Sequence, residues 1–353
     1  MQKTKRRKEQ DLKLVLLSRR VGAKIRPIVH SRAFRWGLNI ALAGAVVFFL
    51  AYGLYANWES LRQHEWTIHY GYLALACAVY GLCFLTVLLA WNGIMSSIEA
   101  MRDWRVNARI FCYSSLPKRI PGVVWYIASR VHLYKKEEVA RSITLVGIAL
   151  ETTLLFVTAL MVYLSSLFFP IAVRSAARLP PTVALLLLLP ALSLLVPAVL
   201  NRVVERLLSV VHYPGRLSLK PGNLLGLTGL YLLAWVLGGV DLYLLARAVY
   251  PVPPDLLPAV IGAWAASSAI SYLASYIVQG MGVSEVALSV LLSSYLPLSV
   301  AIVIAILFRI LLMVGEVAWA LFLAWGLAGF RGLPLHALRD QPPSTPAQDM
   351  DEE

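Results

Sequence analysis

The chain has 353 residues, of which 59% are hydrophobic and 14% are charged, and its mean hydropathy is +0.70. Soluble domains carry roughly a quarter charged residues, so this composition excludes an ordinary soluble protein and predicts a polytopic membrane protein. The net charge of +13 could suit a nucleic-acid binder, but no recognition motif accompanies it, and we expect no nucleic acid as a partner.

The N-terminal arm, residues 1–35, is polar and basic and is longer than the n-region of a typical secretory signal. We therefore expect the first apolar stretch to stay in the mature protein. Apolar residues recur in the arm at helical spacing, namely Leu14, Leu17, Val21, Ile25 and Ile28. This pattern favours an amphipathic helix on the cytoplasmic leaflet; the alternative is a disordered basic lead-in. The polar composition of the C-terminal segment, rich in Pro, Gln and acidic residues, predicts that residues 331–353 form a disordered cytoplasmic tail.

Long apolar stretches in the region 36–330 predict six membrane-spanning helices, since about 20 helical residues cross a hydrocarbon core of about 30 Å. These spans are Trp36–Asn57, Tyr70–Met95, Ser142–Phe169, Pro181–Leu200, Leu224–Tyr250 and Leu298–Phe330. If they alternate, 27 Lys and Arg residues fall on one side of the membrane and three on the other. The positive-inside rule then places the N-terminus, and with it the C-terminus, in the cytoplasm. We expect the protein to be integral to the plasma membrane.

Two apolar segments lie among the spans and are interrupted by Pro or Gly. The first, Ile110–His132, contains Pro117, Pro121 and Gly122 and predicts a broken hairpin that dips in from the cytoplasm. The second runs from Val260 to Tyr295 and is interrupted at Gly280-Met281-Gly282. We expect this hairpin to enter from the outside and return there.

The order of parts is the same in residues 36–169 and 181–330: span, span, broken hairpin, span. The second half starts from the opposite side of the membrane, so the pattern predicts an inverted repeat. Paired discontinuous elements of this kind meet near the midplane of many transporters and form an alternately accessible site. The expected fold is thus all-α, with about six full spans and two re-entrant hairpins.

Charged residues inside the apolar segments are costly and are functional candidates. They are Glu151, Asp241, Arg247, Glu285, Arg309 and Glu316. Arg309 and Glu316 are seven residues apart, so they share one helix face and could line one cavity. Asp241 and Arg247 are six apart and lie on different faces, which favours separate structural contacts across helices. Such contacts are the alternative for the other four residues as well.

Lys118, Arg119 and Arg130 surround Pro121 and Gly122. Cations and freed backbone amides would converge there at headgroup depth, which favours a phosphate-binding corner. The alternative is a topology signal without a ligand.

Signatures of catalysis are largely missing. The chain has no His-Glu-x-x-His, no Gly-x-Ser-x-Gly, no P-loop and no Cys/His spacing that suits zinc. We expect no enzyme activity, no cofactor and no metal. The three cysteines, Cys77, Cys83 and Cys112, are expected to be reduced.

Two motifs resemble those of the lysylphosphatidylglycerol synthase transmembrane-region family, and the resemblance covers most of residues 36–330. The first matches a Pro-Gly followed by Trp and Arg, at Pro121, Gly122, Trp125 and Arg130. The second matches a Gly-rich stretch, at Gly280, Gly282, Val283 and Glu285, and departs from it at Val278, Gln279 and Ser284. The soluble synthase domain of that family has no counterpart here.

The resemblance implies a flippase-like domain that moves a phospholipid or a polyprenyl-phosphate-linked lipid between leaflets. The headgroup would be held between the hairpins by Lys118, Arg119, Arg130, Glu151, Glu285, Arg309 and Glu316, near Pro121, Gly122, Gly280 and Gly282. One alternative is an accessory protein that binds lipid-linked intermediates and a partner glycosyltransferase or lipid synthase without transport. Another is a membrane-embedded transferase with Glu151 or Glu285 as base, which the missing metal-binding carboxylate cluster disfavours.

Overall fold

The computed structural model describes residues 67–98, 103–119, 123–169, 220–278 and 282–328, with single positions at 48–62 and at 202 and 206. The helices in these ranges are α1 (Tyr70–Ser97), α2 (Trp104–Ser115), α3 (Val123–Lys136), α4 (Arg141–Ser166), α5 (Pro221–Val249), α6 (Leu257–Val278), α7 (Val283–Leu292) and α8 (Leu298–Ala328). Short 3-10 turns, Leu116–Arg119 and Pro254–Leu256, follow α2 and precede α6. No strand occurs in the described ranges, so the all-α class is confirmed.

Five of these helices are long and apolar enough to cross a membrane: α1, α4, α5, α6 and α8. Four of them lie where spans are predicted, which confirms an integral, polytopic membrane protein. The other predicted spans, Trp36–Asn57 and Pro181–Leu200, lie outside the described residues apart from single helical positions at 48–56. The N-terminal arm and the tail also lie outside them.

The first hairpin consists of α2 and α3, of 12 and 14 residues. Each arm is shorter than the roughly 20 residues that a full crossing needs. Asp103 immediately precedes α2, and its carboxylate accepts a hydrogen bond from the Arg105 amide at 2.8 Å and so caps the helix. The 3-10 turn at Leu116–Arg119 ends the first arm, as the prolines of this segment predict.

The second hairpin has unequal arms, as the apolar stretches on either side of Gly280-Met281-Gly282 predict. Helix α6 has 22 residues, and with the turn before it the apolar stretch Pro254–Ala274 is long enough to cross the membrane, whereas α7 has only 10. Pro258 lies in the first turn of α6, where a proline is tolerated, so the helix begins at Leu257, three residues before the apolar stretch predicted from Val260. The break itself is where it is predicted, since Gly282 before α7 has a φ of 75°, a left-handed conformation that favours glycine.

Helices α1 and α5 run antiparallel along their whole lengths. The His69 amide at the start of α1 donates to Ala248 O at 2.9 Å, and the Cys83 thiol near its middle donates to Ala234 O at 3.3 Å. At the other end, the Asn223 side-chain amide donates to Ser97 Oγ at 3.2 Å. Because these helices hold the same place in the two halves, the halves are oriented in opposite directions.

The main packing contacts between helices come in matched pairs. Helix α4 packs on α6 as α8 packs on α2, α4 packs on α5 as α8 packs on α1, and α3 packs on α4 as α7 packs on α8. In each case, replacing every helix by its counterpart in the other half turns one contact into the other. This is the contact pattern of an inverted repeat built around the α1–α5 pair.

Candidate functional site

A cavity of about 590 Å³ lies where the two halves meet. The first half contributes the hairpin residue Tyr126 and the α4 residue Thr152, and the second contributes Glu285 of α7 and Arg309 of α8. Aromatic side chains form much of the remaining wall, among them Tyr80, Phe84, Trp235, Trp264, Tyr272 and Phe308. The cavity therefore combines a largely apolar wall with a few charged groups, as ligand sites usually do.

An ion pair between Arg130 and Glu151 lies beside this cavity. Arg130 Nη1 is 2.7 Å from Glu151 Oε2, and the two side chains are 1% and 6% exposed. The Tyr126 hydroxyl donates a second hydrogen bond to the same Glu151 oxygen at 2.8 Å, and Arg130 Nε donates to Ser114 Oγ at 3.1 Å. The partner that Glu151 lacks on its own helix therefore comes from the first hairpin.

Aromatic rings enclose the Arg130 guanidinium. Its central carbon lies 3.9 Å from the ring centre of Trp91, 4.5 Å from that of Tyr126 and 5.0 Å from that of Phe111. Cation–π attraction of this kind is strongest where water is excluded. Arg130 and Glu151 are not part of the cavity wall, whereas Tyr126, which bonds to Glu151, is.

A chain of hydrogen bonds fixes the first hairpin around this pair. Trp91 Nε1 donates to the Tyr134 hydroxyl at 2.8 Å, and that hydroxyl donates to Asn107 Oδ1 at 2.7 Å. Asn107 Nδ2 in turn donates to Asn92 Oδ1 at 2.8 Å. The chain connects α1, α3 and α2, so both arms of the hairpin are attached to a span by buried polar contacts.

The second ion pair, between Arg309 and Glu285, lies in the cavity wall. Arg309 Nη1 is 3.2 Å from Glu285 Oε1, and the side chains are 32% and 10% exposed. The Ser284 hydroxyl donates to Glu285 Oε2 at 2.9 Å. This pair is longer and more exposed than Arg130–Glu151, so less energy is needed to separate its charges.

The two ion pairs hold corresponding places in the repeat, with the charges reversed. Arg130–Glu151 joins the second arm of the first hairpin to the following span α4, and Glu285–Arg309 joins the second arm of the second hairpin to the following span α8. The hairpin contributes the cation in the first half and the anion in the second. One pair is enclosed and the other faces the cavity.

Glu316 and Arg309 both line the cavity, as their seven-residue spacing predicts, and Glu316 is 3% exposed. Asp241 of α5 is in the wall as well and is fully buried. The sequence interpretation left Asp241 out of the site because its distance from Arg247 argued for separate structural contacts. The available signal was its charge in the middle of a long apolar helix.

The remaining predicted site residues fall at the two breaks. Lys118 and Arg119 lie in the 3-10 turn of the first hairpin, and Gly282 precedes α7. Pro121, Gly122 and Gly280 lie outside the described residues. A phosphate-binding corner at the first hairpin therefore stays a prediction.

The cysteines form no disulfide and are separate, with Cys77 exposed, Cys83 half-buried and Cys112 buried. No group of three or more His, Cys, Asp or Glu side chains that could hold a metal ion occurs among the described residues. Comparison with models of known families finds no match, and comparison with curated proteins finds none either.

Proposed function

We propose that this protein is a lipid translocator, which moves the headgroup of a phospholipid or a polyprenyl-phosphate-linked lipid through the cavity between its two halves. The observation that carries the proposal is the cavity itself, which has about 590 Å³ of space, aromatic walls and the separable ion pair Arg309–Glu285. We place the protein in the plasma membrane with both termini in the cytoplasm, following the distribution of Lys and Arg.

The main barrier to moving a lipid between leaflets is the loss of water from its charged headgroup. A site lowers that barrier if it offers opposite charges and hydrogen-bonding groups at membrane depth. Arg309 and Glu285 offer both charges in one wall, and Thr152, Ser268 and Ser271 line the same cavity. The aromatic and aliphatic remainder of the wall suits the acyl or prenyl part of such a ligand.

Arg309 is the residue that we assign to the phosphate. About a third of its side chain is exposed, and its contact with Glu285 is long enough to be exchanged for a phosphate oxygen. Arg130 is enclosed by Glu151, Ser114 and three aromatic rings. In the conformation described here it holds the hairpin in place, and Lys118 and Arg119 remain candidates for the first capture of the headgroup at the cytoplasmic side.

The reversed charges of the two ion pairs suggest how access alternates. In an inverted repeat, access alternates as one half moves against the other, and we propose that each half then adopts the conformation of the other. The exchange would enclose Glu285–Arg309 and bring Arg130–Glu151 to the cavity wall. A phosphate held by Arg309 would then meet Arg130 on the other side of the cycle.

Lipids retained by the purified protein test this assignment. The protein is released gently from its own membranes, and bound lipids are identified by native mass spectrometry for the wild type and for Arg309→Gln. Arg247→Gln is the matched control, since Arg247 lies at the end of α5 against Tyr72 and Tyr243 and outside the cavity wall. We expect one class of phosphate-bearing lipid in the wild type and the control and its loss in Arg309→Gln. Bulk phospholipid alone, unchanged in all three proteins, would contradict the proposal.

A further inference from the structure

Asp241 is a buried acidic side chain in the wall of the cavity. It lies in α5, eight residues before the helix ends, and has no solvent-exposed surface. Neither carboxylate oxygen has a hydrogen-bond partner among the described residues. Glu151, which is also a buried acid within a span, differs in this respect. One of its oxygens accepts hydrogen bonds from both the Arg130 guanidinium and the Tyr126 hydroxyl.

The groups around Asp241 are directed elsewhere. One turn earlier on the same helix face, Gly238 packs against the Trp264 indole, whose Nε1 would lie 2.5 Å from a Cβ at this position, but no hydrogen bond from this nitrogen reaches either Asp241 oxygen. On α1, the Tyr80 hydroxyl donates to Leu312 O at 3.4 Å, and the carbonyl of Cys77 accepts from Trp319 Nε1. The cation of the cavity, Arg309, is bonded to Glu285.

An ionised carboxylate without a cation or hydrogen-bond donors nearby is strongly disfavoured at membrane depth. The free-energy cost of transfer from water is far smaller for the neutral acid. A bound metal ion would need several oxygen ligands, and the described residues offer no such group. A proton needs only one carboxylate oxygen. The surroundings of Asp241 therefore suit a proton better than any other cation.

We propose that Asp241 is a proton-binding site of the cavity. In the conformation described here its carboxyl is neutral, and it exchanges its proton with water that enters the cavity. Binding forms an O–H bond on one carboxylate oxygen with a proton taken from that water, and release returns the proton to it. The proposal rests on the proposed function only in its last step, in which proton release accompanies the change of access.

Other titratable groups share this region and set the conditions for release. Helix α1 contributes Cys77 and Tyr80, α6 contributes Tyr272, α7 contributes Glu285, and α8 contributes Arg309 and Glu316. When Arg309 exchanges Glu285 for an anionic ligand, the number of anionic groups in the cavity rises. Asp241 therefore keeps its proton while the ligand is bound and releases it in the change of access that follows, when the cavity is empty.

Infrared spectroscopy of the full chain in lipid nanodiscs tests the site directly. Asp241 is the only aspartate in helices α1 to α8, since the other six of the chain lie outside them. Labelling aspartate carboxyls with ¹³C therefore separates the Asp241 signal from those of Glu151, Glu285 and Glu316. The neutral acid has a carbonyl band that the ionised group lacks, and the band moves when the proton is replaced by deuterium.

We expect the labelled wild type at neutral pH to show the band of a neutral aspartic acid, and we expect the band to move after transfer to D2O. It should be missing in Asp241→Asn and unchanged in Glu316→Gln, which alters another buried acid of the same wall. The absence of the band in the wild type, or its persistence in Asp241→Asn, would overturn the proposal. A band that never moves in D2O would also overturn it, because the site would then have no contact with cavity water.

The measurement stays decisive if Asp241→Asn fails to fold, since the labelled wild type alone shows whether its carboxyl is neutral and exchangeable. It involves no transported lipid. A result that contradicts the translocator proposal can therefore be distinguished from one that contradicts the proton site.

Discussion

Arg130 and Glu151 form an ion pair of 2.7 Å that is almost completely removed from solvent, and Arg309 and Glu285 form its more exposed counterpart in the other half of the repeat. The ion pair that connects the hairpin to the following span is thus enclosed in one half and open to the cavity in the other. Several measurable consequences arise from this difference.

Replacing Arg130 should be strongly destabilising. Arg130→Met leaves Glu151 buried without its cation, which costs about 3–5 kcal/mol of unfolding free energy. The double variant Arg130→Met/Glu151→Leu should recover a large part of the loss, because no uncompensated charge remains. Thermal unfolding in detergent measures both. A double variant that is no more stable than Arg130→Met would show that the pair is not coupled as the structure has it.

Replacing Arg309 should have a much smaller effect on folding. Its partner distance is longer and a third of the side chain is exposed, so Arg309→Gln should lower the unfolding free energy by less than Arg130→Met does. Thermal unfolding of this variant beside Arg130→Met gives the comparison. Equal losses in both variants would contradict a separable second ion pair.

The Tyr126 hydroxyl should contribute to the stability of the first hairpin. Tyr126→Phe removes a 2.8 Å hydrogen bond to the Glu151 carboxylate, and bonds to charged groups contribute about 1.5–3 kcal/mol. The half-buried Tyr113 gives a control, since Tyr113→Phe leaves this carboxylate untouched. Chemical unfolding followed by tryptophan fluorescence compares the two variants. Equal unfolding free energies for the two variants would show that the Tyr126 hydroxyl does not bond to Glu151.

The close approach of α5 and α6 should make Gly239 intolerant of a side chain. A Cβ there would lie 2.6 Å from the Ile261 Cα, whereas a Cβ at Gly226 of the same helix meets nothing within 4 Å. Gly239→Ala should therefore lose about 1–3 kcal/mol through overpacking, and Gly226→Ala should lose nothing, because alanine favours a helix. Equal melting temperatures for the two variants would contradict this packing.

The antiparallel order of α1 and α5 can be tested by cross-linking. In a background without native cysteines, Ser97→Cys with Asn223→Cys should form a disulfide on mild oxidation, since these side chains are in hydrogen-bond contact. Ser97→Cys with Ala248→Cys should not, because Ala248 lies at the other end of a helix pair about 40 Å long. The reverse result would refute the inverted repeat.

The sequence predicted much of the fold because spans and breaks depend on local composition. Length and hydropathy placed α1, α4, α5 and α8, and the Pro- and Gly-rich segments placed both breaks. Helix α6 begins at Leu257, three residues before the apolar stretch that the sequence predicts, because a proline such as Pro258 is tolerated in the first turn of a helix.

The site was harder to predict because its partners come from different helices. The sequence showed that Glu151 needs a distant partner but could not name Arg130, which lies 21 residues earlier on the preceding helix α3. The isolation of Asp241 depends on where the neighbouring donors are directed, and spacing along one helix does not carry that information.

Movement of lipid across a bilayer measures the central claim most directly. The purified protein is reconstituted in liposomes with a fluorescent phospholipid or a fluorescent polyprenyl phosphate, and an impermeant reductant reports how much label reaches the outer leaflet. The account predicts rapid exposure of inner-leaflet label of one lipid class with the wild type and Arg247→Gln, and exposure at the rate of protein-free liposomes with Arg309→Gln. Retained lipid without movement in the wild type would contradict translocation and would favour an accessory protein that binds lipid-linked intermediates.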